Sequence, residues 1–164
     1  MNRFKHFIVT RFNVNVSYAD PRIRLDPEWL HHRFALFDRF CYPSVRGQSS
    51  HNFTWLVLFD SDTPDIFKQK VQEYSQWDNF TPVYMAASNV PIGSITRDVI
   101  TNYISEGVRR IVTTRLDNDD ALHKNFVQTL QDTVSHENEH AREFINFTRG
   151  CMAQFQSLFN SSEK

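Results

Sequence analysis

The sequence predicts an α/β domain with a mostly parallel central sheet and helices on both faces. Three observations predict it. Short runs of β-branched and aromatic residues alternate with segments whose apolar residues recur every four positions. One run, residues 53–59, is almost continuously apolar, as in a strand covered on both faces. Polar or acidic residues follow several of these strands at once, on the edge where open α/β sheets bind ligands.

Taken in order, residues 6–14 read as a first strand, with Phe7, Ile8 and Val9 apolar and Thr10, Arg11 and Asn13 toward its far end. Residues 18–25 are polar and contain Pro21, which marks a loop. Asp26-Pro27-Glu28 opens a helix: an N-cap carboxylate, proline at the first helical position and an acid in the positively polarised first turn. Leu30, Phe34, Phe37 and Cys41 form its inner face, and Pro43 is expected to end it. His31 and His32 point in different directions from such a helix and read as surface residues. After a loop over 45–52 comes the apolar strand 53–59, followed by Asp60-Ser61-Asp62. Thr63 is placed to cap the next helix, whose Phe67, Val71 and Tyr74 face inward.

Residues 81–85 form a short third strand. Ser94 is expected to cap a helix carrying Ile95, Val99, Ile100, Tyr103 and Ile104, with Gly107 just past its end. Residues 109–116 are the central strand, expected to lie parallel and next to the first. A helix carrying Leu122, Phe126, Leu130 and Val134 runs on to about residue 135. Residues 142–147 read as a fifth strand, residues 150–159 as a packing segment and 161–164 as a frayed tail. Four crossovers of this kind favour right-handed, parallel connections.

The whole chain sets bounds. Its 164 residues suffice for one domain with a real core, and 40% of them are apolar. Formal net charge is −1 with no basic stripe, so no nucleic-acid partner is expected. Apolar runs are too short for a transmembrane segment, and residues 1–12 too polar for a signal peptide. The expected compartment is therefore the cytoplasm, where Cys41 and Cys151 are free thiols in or near the core. The N-x-S/T triplets at Asn15, Asn52, Asn146 and Asn160 are then chance matches.

The chemistry concentrates in residues 109–120, RRIVTTRLDNDD. Asp117, Asp119 and Asp120 follow a strand directly, and like charges so close repel unless a cation or hydrogen bonds offset them. Helix capping explains one or two of the three aspartates. An EF-hand fails, because Leu122 stands at the turn glycine and Gln128 at the final glutamate. A hard-metal site for a diphosphate is the third reading. His136, Glu137 and His140 match the H-E-x-x-H spacing of zinc hydrolases, a distant alternative: the context is polar and no suitable third ligand follows. No G-x-G-x-x-G, P-loop or nucleophile elbow is present in a chain with four glycines.

The segments VTRFNV, WLHHRFALFDRFCYPSVRGQ, WLVLFDSDTP, TTRLDNDDAL and INFTRG resemble the bacterial putative rhamnosyltransferase family, a GT-A-like group. The resemblance spans about residues 6–150, with RLDNDDAL and LFDSDTP its specific parts. Gly93-x-x-x-Arg97-Asp98 is also similar to the G-x-x-x-R-N helix of family-2-type glycosyltransferases, with Asp98 in place of their usual Asn.

The resemblance implies a Rossmann-like GT-A domain and a glycosyltransferase that takes its sugar from a nucleotide-sugar donor. It implies that Thr10, Arg11, Asn13, Asp60, Asp62 and Arg97 bind the nucleotide-sugar. Asp117 would face the ribose or the metal, and Asp119 would be the main ligand of a Mn²⁺ or Mg²⁺ ion at an Asp-Asn-Asp (D-x-D) motif. GT-A enzymes usually carry an acceptor-binding half after the fifth strand. The expectation is therefore a single domain, 1–164, lacking that half. A non-catalytic nucleotide-sugar or metal-binding module, or an inactive fragment of the same fold, is the alternative.

Overall fold

The computed structural model describes residues 4–14, 22–86, 92–135, 144–145, 147 and 150–152. Among the described residues four strands, β1 (Phe4–Arg11), β2 (Thr54–Asp60), β3 (Phe80–Met85) and β4 (Arg110–Arg115), form one sheet in the order β3-β2-β1-β4. Every pairing is parallel. The expected neighbours β1 and β4 do pair, with Phe7 opposite Thr113 and Val9 opposite Arg115.

The helices are α1 (Pro27–Leu36), α2 (Tyr42–Arg46), α3 (Asp65–Tyr74), α4 (Ile92–Thr101) and α5 (Phe126–Ser135). The chain moves from β1 outward to β3, then jumps back across β1 to β4. Right-handed crossovers running in opposite directions put their helices on opposite faces. Two buried clusters show this. One face packs Ile8, Trp55, Val57 and Phe59 with Phe34 and Phe37, with Phe67 and Val71 of α3, and with Val127 of α5. The other packs Phe7, Val9, Leu56 and Leu58 against Val99 and Ile100 of α4. Phe37 sits at the centre of the first cluster, fully buried, with ring centroids of Phe12, Trp55 and Tyr74 within 5.4 Å.

The start of α1 is as expected: the Asp26 carboxylate accepts the Trp29 N–H at 2.8 Å. Its end is not. Pro43 does not stop the helix, which passes through a π-helical segment, Phe37–Cys41, into α2. The Tyr42 N–H bonds the Phe37 carbonyl, five residues back. In a regular α-helix the Pro43 ring would press on the carbonyl four residues earlier. The wider turn just before it makes room, and π segments of this kind are frequent near functional sites.

Other boundaries move as well. A short 3-10 turn, Ile23–Leu25, stands in the expected loop. Thr63 does not cap α3. Pro64 holds that position, and the Thr63 hydroxyl donates to the Asp60 carbonyl at 2.7 Å. Ser94 lies inside α4, which ends at Thr101; Gly107, with φ +85°, serves the turn into β4 instead. Phe144 and Ile145, from the expected fifth strand, are not in a strand, and the Phe147 ring lies 4.6 Å from that of Phe126. The remainder of that stretch, the H-E-x-x-H residues and the 161–164 tail lie outside the described residues. Cys41 is buried and free as expected, whereas Cys151 is free but exposed. His31 and His32 are exposed, as expected.

α5 is tied to the sheet by a buried polar network. Gln131 Nε2 donates to the Asn52 carbonyl at 2.8 Å and lies 3.2 Å from His6 Nδ1. An amide nitrogen only donates, so Nδ1 accepts and the proton sits on Nε2, 2.9 Å from Thr114 Oγ1. Burial holds this imidazole neutral and pushes its pKa down to about 4. The unfolded chain then binds a proton that the folded chain refuses. Stability is full above pH 6.5 and falls as pH drops toward 4, by up to about 3 kcal/mol from this group. His6→Gln is expected to flatten that part of the acid limb in urea titrations between pH 7 and 4. An unchanged slope would refute the assignment.

Candidate functional site

Strand order reverses at β1, whose neighbours β2 and β4 are reached by connections in opposite directions. The crevice past the carboxyl ends of β1 and β4 is therefore where this topology leaves room for a ligand. A pocket of about 250 Å³ lies there, lined by Val9 and Arg11 of β1, Thr113, Thr114 and Arg115 of β4, and Gly93 and Thr96 of α4.

Beside it the acid loop leaves β4. The Asp120 N–H bonds the Asp117 carbonyl at 3.2 Å, closing a tight turn. Asn118 is the anchor: it is buried, and its Nδ2 donates to the Phe12 carbonyl at 3.2 Å. The Cys41 thiol at the end of the π segment lies 3.6 Å from the Asp117 carbonyl. Burial first, then the charges of Asp120 and Asp119, push that thiol's pKa far up, so it stays protonated and donates. Further along, Ser44 Oγ accepts the Leu122 N–H and Gln48 Oε1 accepts the Val127 N–H. The loop is thus clamped by the α1–α2 region along its length.

α5 begins only at Phe126, so Asp117, Asp119 and Asp120 do not cap it. The charges of Asp117 and Asp119 are met by arginines instead. Arg115 pairs with Asp117 at 3.2 Å, with Arg11 at 4.0 Å from the same carboxylate. Arg33 of α1 reaches Asp119 at 3.0 Å and also donates to Asn118 Oδ1. Asp120 is exposed; desolvation, then Asp119 and Asp117, raise its pKa. The three carboxylates therefore share one field.

The other sequence candidates divide. Asp60, at the end of β2, is fully buried. Its carboxylate accepts Arg24 Nε at 2.7 Å and the Asp62 N–H at 2.8 Å, and its own N–H donates to Asn13 Oδ1 at 3.1 Å. Asn13 Nδ2 lies 2.9 Å from Thr63 Oγ1. Asn13 and Asp60 thus form a knot that fixes the carboxyl edge of β1 and β2. Thr10 is completely buried and accepts the Trp55 indole N–H at 2.9 Å, which leaves it no surface for a ligand. Asp62 is exposed beside the knot. Arg97 is exposed on α4, one residue beyond the pocket-lining Thr96. Arg11 alone of these joins the pocket to the acid loop.

With this geometry in view, the comparison with known families is decisive. The family described as putative rhamnosyl transferase matches residues 1–162. The chain belongs to that family. That description is one of a glycosyltransferase. No curated protein matches it. No helix among the described residues is long and apolar enough to cross a membrane.

Three arginines of the site were not among the residues singled out from the sequence: Arg24, Arg33 and Arg115. Arg115 was within reach, since it lies two positions before Asp117 and strand alternation puts such residues on one side. Arg24 and Arg33 meet their acids across 36 and 86 residues, and no local pattern carries such a pairing.

Proposed function

We propose that this family member binds a nucleotide-sugar donor at the β1–β4 crevice and transfers its sugar, with Mn²⁺ or Mg²⁺ held by Asp117 and Asp119. One observation carries the reading: Arg11 and Arg115 both line the pocket and both reach Asp117. Pocket and acid loop are therefore one site, with cationic and anionic groups side by side. The pocket is smaller than the ~300–1,000 Å³ of sites that enclose a drug-sized ligand. It would take one part of an extended donor, leaving the diphosphate beside the acid loop.

The donor set suits a hard cation. The side chains of Asp117 and Asp119 are 45% and 40% exposed, on a loop pinned by buried Asn118. Among the described residues no group of three or more His, Cys, Asp or Glu forms a metal cage. Two carboxylates leave positions open for phosphate oxygens, as is usual for Mg²⁺. When bound, the cation would offset charge on the departing diphosphate. Arg11 and Arg115 would hold the donor's anionic part, and the clamp from Cys41, Ser44 and Gln48 would keep the acid loop in register.

Cation and nucleotide should then bind cooperatively. Calorimetric titration of UDP and dTDP is expected to show affinity at least about tenfold higher in Mn²⁺ than in EDTA. Asp119→Asn, which keeps size but removes charge, should abolish most of that gain. Nucleotide binding indifferent to both metal and Asp119 would sink the reading. Stoichiometric zinc lost on mutating His136 would favour the hydrolase alternative.

A further inference from the structure

Arg33 belongs to no candidate set read from the sequence, yet its guanidinium contacts both Asn118 and Asp119 of the acid loop. It rises from the middle of α1 and spans two successive loop residues. Its guanidinium lies 3.0 Å from Asp119 Oδ1 and 3.1 Å from Oδ2, while Nη2 also donates to Asn118 Oδ1. Its side chain is 21% exposed, and its Cζ stands 5.8 Å from the centre of the Trp29 ring. Among the described residues, Arg33 Nε is the single buried side-chain polar atom with no hydrogen-bond partner. The residue therefore leaves one of its own donors unsatisfied while its terminal nitrogens serve the loop, a cost that packing alone does not require.

We infer that Arg33 is a positioning residue that acts as the built-in counter-ion of Asp119, so that a divalent cation must compete with it for that carboxylate. This rests on the reading of Asp117 and Asp119 as metal ligands. The physical grounds are two. A guanidinium on both oxygens of one carboxylate is among the stronger hydrogen-bonded pairs. A fixed positive charge at that distance also repels an incoming cation. Arg33 thereby keeps the loop shaped and neutralised without metal, and lowers its affinity for metal alone.

The test is Mn²⁺ binding followed by the electron paramagnetic resonance of the free ion, without nucleotide and then with UDP. The proteins are the wild type, Arg33→Gln, Arg33→Lys and Asp119→Asn. Arg33→Gln is expected to bind Mn²⁺ alone about tenfold more tightly than the wild type. A merely structural role for Arg33 would make its loss weaken binding. Lysine offers one point charge and cannot bridge Asp119 and Asn118, so Arg33→Lys should fall between the two and decides the matter if the glutamine variant does not fold. Mn²⁺ held by the wild type, lost in Asp119→Asn and bound no more tightly by either Arg33 variant would overturn the inference and leave the metal site standing. No Mn²⁺ binding by any of the proteins, even with UDP, would overturn both.

Discussion

Phe37→Ala is expected to destabilise the domain by roughly 3–5 kcal/mol. The side chain is fully buried at the centre of the larger core cluster, on the π segment that joins α1 to α2. Its removal leaves a cavity bordered by Phe12, Trp55, Tyr74 and Phe80, and it breaks the edge-on contacts with Phe12 and Tyr74. Domains of this size are stable by only about 5–15 kcal/mol, so the loss is a large share of the total. Urea denaturation would read it as a lower midpoint with little change in slope. Ile66→Ala is the control: that side chain is 63% exposed and should cost within about 0.5 kcal/mol. A loss below about 1 kcal/mol for Phe37→Ala would mean that the core repacks around the gap.

Asp60→Ala should cost about 3 kcal/mol by a different route. Its carboxylate is buried and holds Arg24 at 2.7 Å, with side-chain exposures of 1% and 14%. Breaking a buried ion pair by removing one member typically costs about 3–5 kcal/mol. The figure belongs at the low end because the Arg24 side chain retains some contact with water. The Asp62 N–H also loses its acceptor. Asp60→Asn keeps an oxygen for that N–H and should cost about half as much. Equal stability of wild type and Asp60→Ala in urea would show that the pair contributes nothing net.

Much of the fold was legible because it is written locally. The continuous apolar run of β2, the β-branched run of β4 and the Asp26-Pro27 helix start each depend on residues that touch their sequence neighbours. The pairing of β1 with β4 followed from the crossover logic of alternating elements. What failed depends on contacts between distant residues. Pro43 is a stop signal only while the helix stays regular, and the π segment before it removes that condition. Leu122 has helical spacing with Phe126, but Ser44 accepts the Leu122 N–H and Gln48 donates to the His123 carbonyl, and α5 starts only at Phe126. The placement of Arg11, Asp117 and Asp119 at the carboxyl edge of the sheet was legible from their position at strand ends. Thr10 and Asp60 lie on that edge but turn inward, because Thr10 meets Trp55 of the neighbouring strand and Asp60 meets Arg24 of the 3-10 turn. The arginines that answer the acids were not legible, since charge pairing between elements leaves no trace in spacing.

The jump from β3 back across β1 has a consequence for how the site comes into being. Asn13 and Asp60 are 47 residues apart along the chain, while Asn118 and the Phe12 carbonyl it anchors to are 106 apart. Loop closure over the longer span costs only about 0.7 kcal/mol more in chain entropy. The order of events on the ribosome differs more sharply, because chains emerge amino end first. β1, β2 and β3 can zip together while β4 is still unsynthesised, which leaves the inner edge of β1 bare until residue 110 emerges. Before then Arg11 has no Asp117 to meet, and Arg33 no Asp119. Among the described strands the β1–β4 crevice is thus the last part of the sheet to be assembled, and its arginines reach the nascent surface before the acids that neutralise them.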